Sequence, residues 1–351
     1  MSSFITNHSF KMNRKFISRK ELKQKIQEDQ TDRTTISFYR YVNLKNPEEF
    51  KEILTNKYSE LGVLGRIYIA KEGINAQFSV PTKNLEKFRY LVDSMLETKD
   101  IPFKIAVEDD GKSFYKLTIK IRNKVLADGL SDDTFDTSNV GTHLNAKEFN
   151  KAIEEGATVI DMRNHYEAEV GTFENALTFD GDTFREVLPM ALKEVENKKG
   201  QKILLFCTGG IRCEKASAYF KHKGFTDVNQ LHGGIIDYKH QCEKENLNIK
   251  FKGKNFVFDE RLGEKITDDI ISNCHQCGTP CDEHTNCAND DCHLLFIQCP
   301  TCKEKTQNTC SSKCQEIAQL PVEEQRELRR NKVKTDCLSV YKSRLRPKLN
   351  V

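Results

Sequence analysis

Lys202-Ile203-Leu204-Leu205-Phe206-Cys207-Thr208-Gly209-Gly210-Ile211-Arg212 reads as a short apolar strand that runs directly into a cysteine, a glycine pair and the start of a helix. The pattern repeats on either side. Downstream, Arg212–Lys223 has helical character and Asp227–Leu231 is a second strand closed by Gly233-Gly234. Upstream, Ala157–Met162 is an apolar run containing Asp161, Ala176–Phe179 reads as a further short strand, and Phe184–Val195 as a helix. Strands alternating with helices predict an α/β domain over residues 143–250, with a parallel sheet covered by helices on both faces.

The loop at Cys207 has a chemical reading. Gly209 and Gly210 let backbone N–H groups turn toward one point, and the following helix adds the positive end of its dipole. Both favour the thiolate, the reactive form of cysteine, and Arg212 supplies a fixed positive charge. Cys207 is therefore the expected nucleophile, with Gly209, Gly210 and Arg212 as loop support. A buried structural cysteine would leave the glycines and the arginine unexplained. Cys213, six residues on, is a possible second thiol that could resolve a persulfide or sulfenate, though a small core residue is the favoured reading. Asp161 and Arg163 fall at a strand end beside the loop and are expected to brace it with a salt bridge.

Residues 34–130 read differently. Thr35–Val42, Gly65–Ala70, Ile74–Val80 and Phe114–Val125 are strand-like, Asn46 caps a helix starting at Pro47, and Asn84–Leu96 places Leu85, Phe88, Leu91, Val92 and Met95 on one helical face. The order β-α-β-β-α-β predicts a ferredoxin-like α+β domain. A linker rich in Asp, Thr, Ser and Asn (131–142) follows.

Residues 251–315 form a third region, short of large apolar residues from Cys274 to Cys314 and crowded with cysteine. Cys274-x2-Cys277 and Cys299-x2-Cys302 have the spacing of zinc knuckles, in which a two-residue spacer turns the chain enough to supply two ligands of a tetrahedron. The candidate ligands are Cys274, Cys277, Cys281, Cys287, Cys292, Cys299, Cys302, Cys310 and Cys314; with His275, His284 and His293 they suffice for two sites. Structural zinc is the expected occupant and would stand in for the missing core. Iron–sulfur ligation and free reduced thiols are the alternatives.

The chain has 351 residues, a formal net charge of +3 and 13 cysteines, enough length for two or three domains. Its ends are basic: residues 1–33 carry Lys11, Arg14, Lys15, Arg19 and Lys20, and the tail 316–351 carries Arg329, Arg330, Lys332, Lys334, Arg344 and Arg346. Such ends are suited to phosphate, or are simply solvated coil. Met1 to Phe16 has no apolar core of a secretory leader, and no apolar run is long enough to span a bilayer. A cytoplasmic protein with reduced thiols, no membrane association and no evident protein partner is expected.

Val159-Ile160-Asp161-Met162-Arg163, Glu167, Gly171, the Cys207–Arg212 loop and Leu231-His232-Gly233-Gly234 together resemble a rhodanese domain. The four residues between Cys207 and Arg212 match sulfur-handling rhodaneses rather than the longer loop of phosphatases. Over roughly residues 35–315 the resemblance extends to the bacterial oxygen-dependent tRNA uridine hydroxylases, through Lys71-Glu72-Gly73-Ile74-Asn75, Cys207–Ser217, Gln230–Ile235, Phe256–Arg261 and Cys281–Cys299. That resemblance implies 5-hydroxylation of the wobble uridine of tRNA, dependent on the loop cysteine, with molecular oxygen as co-substrate and no flavin or haem. Rhodaneses often read Gly-His where this chain has Gly171-Thr172, which weakens any role for a histidine there. Two chemical routes stay open: thiolate addition at C6 of uracil, which enriches C5 in electrons, or an oxygen species carried on sulfur. A sulfurtransferase holding a persulfide on Cys207 is the alternative activity. A non-catalytic RNA-binding module is a third reading, which the intact loop opposes.

Overall fold

The computed structural model describes residues 19–131 and 134–331. Most of the basic N-terminal extension and the tail beyond Asn331 lie outside the described residues, apart from helix α1 (Arg19–Glu28) and the last helix.

The first region runs β1 (Arg33–Tyr41), α2 (Pro47–Glu60), β2 (Leu64–Ala70), β3 (Gly73–Pro81), α3 (Leu85–Ser94), β4 (Lys104–Ile105) and β5 (Leu117–Ile121). The Asn46 side chain accepts the Glu49 N–H at 3.2 Å, and Pro47, whose ring presets a helical φ, opens α2. The sheet order is β4-β1-β3-β2-β5. The first four strands are antiparallel neighbours in the ferredoxin-like order, as expected. The fourth strand is not the expected one. It is the two-residue β4, while the 114–125 segment forms only β5, which lies parallel to β2 on the opposite edge. A two-residue strand following Pro102 has no room to show alternation.

Alternation along β1 gives this sheet two unlike faces. Ile36 and Phe38 join Ile67, Ile69, Ala76 and Phe78 in a core closed by Leu54 and Tyr58 of α2 and Phe88 and Val92 of α3. The other face carries Thr35, Ser37 and Tyr39, with Asn75 and Gln77 from β3 in register beside Tyr39 and Ser37. This polar face is covered by the second region.

That region contains β6 (Thr142–Leu144), α4 (Ala146–Glu154), β7 (Thr158–Asp161), α5 (His165–Ala168), β8 (Gly171–Phe173), α6 (Phe184–Glu194), β9 (Lys202–Phe206), α7 (Ile211–His222), β10 (Asp227–Leu231) and α8 (Gly234–Glu245). Four strands form an all-parallel sheet in the order β6-β10-β9-β7. One face buries Phe184, Val187 and Leu188 of α6 with Ala216 and Phe220 of α7; the other buries Phe149 of α4 with Ile235 and Tyr238 of α8. The expected strand at Ala176–Phe179 reduces to a single bridge, Leu177 to Ile160.

The chain then pairs back: β11 (Phe251–Asn255) lies antiparallel to β8 and to β12 (Glu264–Lys265). The cysteine-rich module follows, with a small ladder of β13 (His284–Asn286) and β14 (Leu295–Ile297), then α9 (Pro300–Thr306), α10 (Ser312–Gln319) and α11 (Val322–Asn331). Cys274, Cys299, Cys302 and Ile297 pack with Tyr166 and Val170 of the parallel-sheet region. No helix among the described residues is long and apolar enough to cross a membrane.

Candidate active site

Cys207 follows β9 and is fully buried, like Cys213 on the first turn of α7. The Gly210 N–H donates to its Sγ at 3.2 Å. Gly210 has φ +99°, and a Cβ there would meet the Tyr39 hydroxyl at 2.7 Å, so backbone and neighbour both require glycine. A Cβ on Gly234 would likewise strike the Cys207 and Thr208 carbonyls at 2.6 Å, because the turn into α8 is pressed against the loop.

Burial alone would push the Cys207 thiol up. The Cys213 thiol as hydrogen-bond donor, the Arg212 charge and the N–H groups of Arg212 and Gly210 outweigh it and bring the pKa down to about 6. Cys213 moves the opposite way, well above the usual thiol range, through burial and its bond to Cys207. It therefore remains a thiol and the donor to Cys207, while its side chain also packs in the core with Ala216 and Phe220, as the small-core-residue reading expects.

Arg212 is fixed by a carboxylate that sequence reading did not include in the site. Its two terminal nitrogens donate to the two oxygens of fully buried Glu167 at 2.7 and 2.8 Å. Glu167 also accepts the Thr208 hydroxyl at 3.3 Å and the Asn164 N–H at 3.1 Å. A bidentate buried pair is rigid, and it holds the guanidinium beside the sulfur. Asp161 and Arg163 do not perform this task. They pair with each other at 2.6 Å, and Arg163 donates to the Gly171 carbonyl and lies over the Phe206 ring. They brace the end of the strand. Thr172, where a histidine is common, donates to Asp161 at 3.2 Å.

The polar face of the first sheet closes over this loop. Tyr39 donates to Glu214 of α7 at 3.0 Å, and Tyr41 to the Ile211 carbonyl at 3.4 Å. Burial, then the negative charges of Glu214 and Cys207, hold Tyr39 well above the usual phenol range, so it stays a donor. Glu214 also accepts from Gln230 at 3.1 Å and bonds His143 at 2.9 Å. Glu72, in the Lys71-Glu72-Gly73 turn, reaches buried Lys215 of α7 at 2.8 Å and accepts the Val125 N–H. That turn is thus a clasp between regions.

Between the regions lies an open cleft of about 700 Å³. Its walls are Thr35–Tyr39 of β1, Asn75, Gln77 and Lys104 of the first region; Cys207–Gly209, Ile211, Arg212 and Ile236 of the second; and Val257–Asp259, Arg261 and Glu264 of the third. All three regions contribute, so the cleft exists only when they assemble.

The nine cysteines named as ligands divide unevenly. Cys274, Cys277, Cys299 and Cys302 form one group, and Cys287, Cys292, Cys310 and Cys314 another; within each group the sulfurs lie within 4.8 Å of one another. Sulfurs as close as 3.6 Å occur in both. A tetrahedron with metal–sulfur bonds of about 2.3 Å has edges of about 3.8 Å, so each group could hold a metal ion. Cys281 belongs to neither group. Its sulfur accepts the Glu283 N–H at 3.4 Å, and its side chain is buried in the packing around Ile297. Neither group includes a histidine: His275 bonds Glu169 at 2.9 Å, and His284 meets the Phe256 ring edge-on.

Three family models match: a UPF0176 acylphosphatase like domain over residues 33–125, a Rhodanese-like domain over 145–241 and a Rhodanase C-terminal model over 252–315. Among curated relatives, the tRNA uridine(34) hydroxylase of Leptospira interrogans is 55% identical over 330 residues, covering 94% of this chain and 90% of that one. The proteins of the same name from Photorhabdus laumondii and Yersinia pestis are 52% and 51% identical, each over 89% of its own length.

Proposed function

The chain belongs to the tRNA uridine(34) hydroxylase family, and we propose that it hydroxylates the wobble uridine of tRNA with Cys207 as the reacting thiolate. The observation that carries the assignment of Cys207 is its placement: a thiol lowered to about 6 lines a cleft built by all three regions. Uridine 34 lies in a single-stranded loop, so its base can enter such a cleft with little unpairing. The thiolate adds to C6 and drives electron density to C5, where one atom of molecular oxygen is placed; the other leaves as water, with two electrons and two protons drawn from an external reductant, and loss of the C5 proton expels the thiolate from C6. In the cleft, Arg212 and the loop N–H groups keep the sulfur ionised, and Tyr39 closes the site against water.

Each four-thiol group holds a structural zinc ion. Four thiolates complete the tetrahedron, leave no open position and fix the module that supplies Val257, Phe258 and Arg261 to the cleft. The enzyme works in the reducing cytoplasm, where these thiols persist.

Basic residues hold the tRNA backbone. Arg330 is exposed on α11, and Arg329 lies 3.5 Å from Asp290 of the cysteine module. The double substitution Arg329→Ala with Arg330→Ala should raise KM for tRNA a few-fold, with little change in kcat, and weaken the salt dependence of binding by roughly one to two phosphate contacts. The functional test is nucleoside analysis of tRNA from a gene-deletion strain lacking other hydroxylation routes, paired with aerobic and anaerobic reactions of the purified protein. Hydroxylated uridine 34 should vanish in the strain and depend on oxygen in the tube. Persistence in both, or efficient cyanide-dependent consumption of thiosulfate, would favour a sulfurtransferase.

A further inference from the structure

Three cationic side chains line the cleft among the described residues: Lys104, Arg212 and Arg261. Two are committed. Arg212 places both terminal nitrogens on Glu167, and Arg261 is bound to Asp259, Glu264 and the Glu108 carbonyl. Lys104 is different. It is 4% exposed, and among the described residues no carboxylate oxygen comes within 4.0 Å of its Nζ and no carbonyl or hydroxyl accepts from it. Its ammonium rests over the Tyr39 ring, 4.7 Å from the centroid, and its stem runs beside Gly209, whose added Cβ would lie 3.7 Å from Lys104 Cδ.

The Lys104 side chain is thus largely buried while its ammonium, on the cleft wall and over an aromatic face, carries no carboxylate, which leaves its N–H donors free for a ligand in the cleft. The ammonium here is within electrostatic reach of Cys207, Glu214 and Asp237, whose charges oppose the lowering of its pKa by burial. Its position on the two-residue strand β4 also gives the first region a chemical task beside the second region's sulfur.

We propose that Lys104 is a catalytic residue that donates a hydrogen bond to O4 of the uracil ring as Cys207 adds to C6. The proposal rests on the reading of Cys207 as the nucleophile. In this step a sulfur lone pair forms the S–C6 bond, the C5–C6 π pair moves onto C5 and O4, and no atom leaves. The charge that began on sulfur ends on the base, chiefly at O4. An ammonium already oriented by the Tyr39 face meets that charge with little reorganisation of its own.

The test uses an anticodon stem-loop RNA with 5-fluorouridine at position 34, which traps the C6 adduct as a covalent protein–RNA species. Wild type should form the adduct and Cys207→Ser should not. Lys104→Met should bind the RNA with unchanged Kd but form the adduct roughly a hundredfold more slowly at saturation, the effect of losing one donor to a developing oxyanion. Lys104→Gln, a second neutral variant, should be slowed similarly, and Lys104→Arg should recover part of the rate. Removing a largely buried cation that no carboxylate pairs should leave the melting temperature of Lys104→Met equal or higher, which a merely structural lysine would not do. Adduct formation by Lys104→Met and Lys104→Gln at the wild-type rate would overturn the proposal while leaving Cys207 in place. Weaker RNA binding with an unchanged saturated rate would overturn it in favour of a phosphate contact. No adduct in the wild type would overturn the C6-addition reading and this proposal with it.

Discussion

Cys207 has one other thiol, two backbone N–H groups and a guanidinium for company, whereas Cys302 has three other thiols. Both are buried, and neither is in a disulfide. The difference lies in how a negative sulfur would be neutralised. Around Cys207 the protein itself supplies the positive charge and the donors, so a thiolate can exist without a metal and still react. Around Cys302 the neighbours are three further thiols, and four sulfurs within 4.8 Å would repel one another if ionised. Such a group is stable as thiolate only around a cation. Burial is common to both regions; the company distinguishes a thiol set up to react from thiols set up to bind a metal.

The sharpest break in that comparison is to remove the cation from the reactive site. Arg212→Ala leaves Glu167 buried and unpaired, so it should destabilise the protein by about 3–5 kcal/mol. Urea or thermal unfolding measures this. A loss under about 1 kcal/mol would mean that the loop does not depend on the pair.

The cysteine-rich region can be divided in the same way. Cys302→Ser should lose one of about two zinc ions per chain, measured by elemental analysis, whereas Cys281→Ser should keep both. Equal losses would place Cys281 in the coordination shell. Protein that is metal-free yet folded and active would remove the metal altogether, and a coloured, iron-rich preparation would replace zinc with a cluster.

Cys213 sharpens the comparison from the other side, since it makes the reactive region a two-thiol site. The folded thiol of Cys207 lies at about 6, below its ordinary value of 9.0, so the thiolate is present above that pH and is lost as pH falls through it. The acid limb of kcat/KM should therefore fall near pH 6. Cys213→Ala removes a donor to the thiolate and should move that limb upward while costing less than about tenfold at neutral pH. A limb that stays in place would make Cys213 a packing residue only; a loss as large as that of Cys207 would point to a paired-thiol mechanism.

The parts legible in the sequence are those encoded locally. The Cys207–Arg212 loop announces itself within six residues, and the knuckles within four. What was not legible arises from contacts between distant segments. Glu167 is visible as part of the rhodanese-like pattern, but it stands 45 residues before Arg212, and the pattern does not say that the two pair. Asp161 and Arg163 form the expected salt bridge, but Arg163 spends its other bond on the Gly171 carbonyl, a partner that a strand end alone does not reveal. Cys281 has a plausible knuckle spacing after Cys277, and only the folded chain shows its sulfur turned toward the Glu283 N–H. A signal for the cleft was available in β1: Thr35, Ser37 and Tyr39 alternate with Ile36 and Phe38, marking a polar face. Sequence cannot show that another region covers that face. Lys104 had no signal, since a two-residue strand carries no period.

The central claim is that Cys207 is the thiolate that hydroxylates uridine 34. Its most direct test is mass analysis of nucleosides from unmodified tRNA incubated in air with wild-type protein or with Cys207→Ala, the latter shown to be folded by its circular dichroism and zinc content. The wild type should add one oxygen atom to uridine 34, and Cys207→Ala should add none above the protein-free control. Hydroxylation by Cys207→Ala at a rate comparable to wild type would contradict the account.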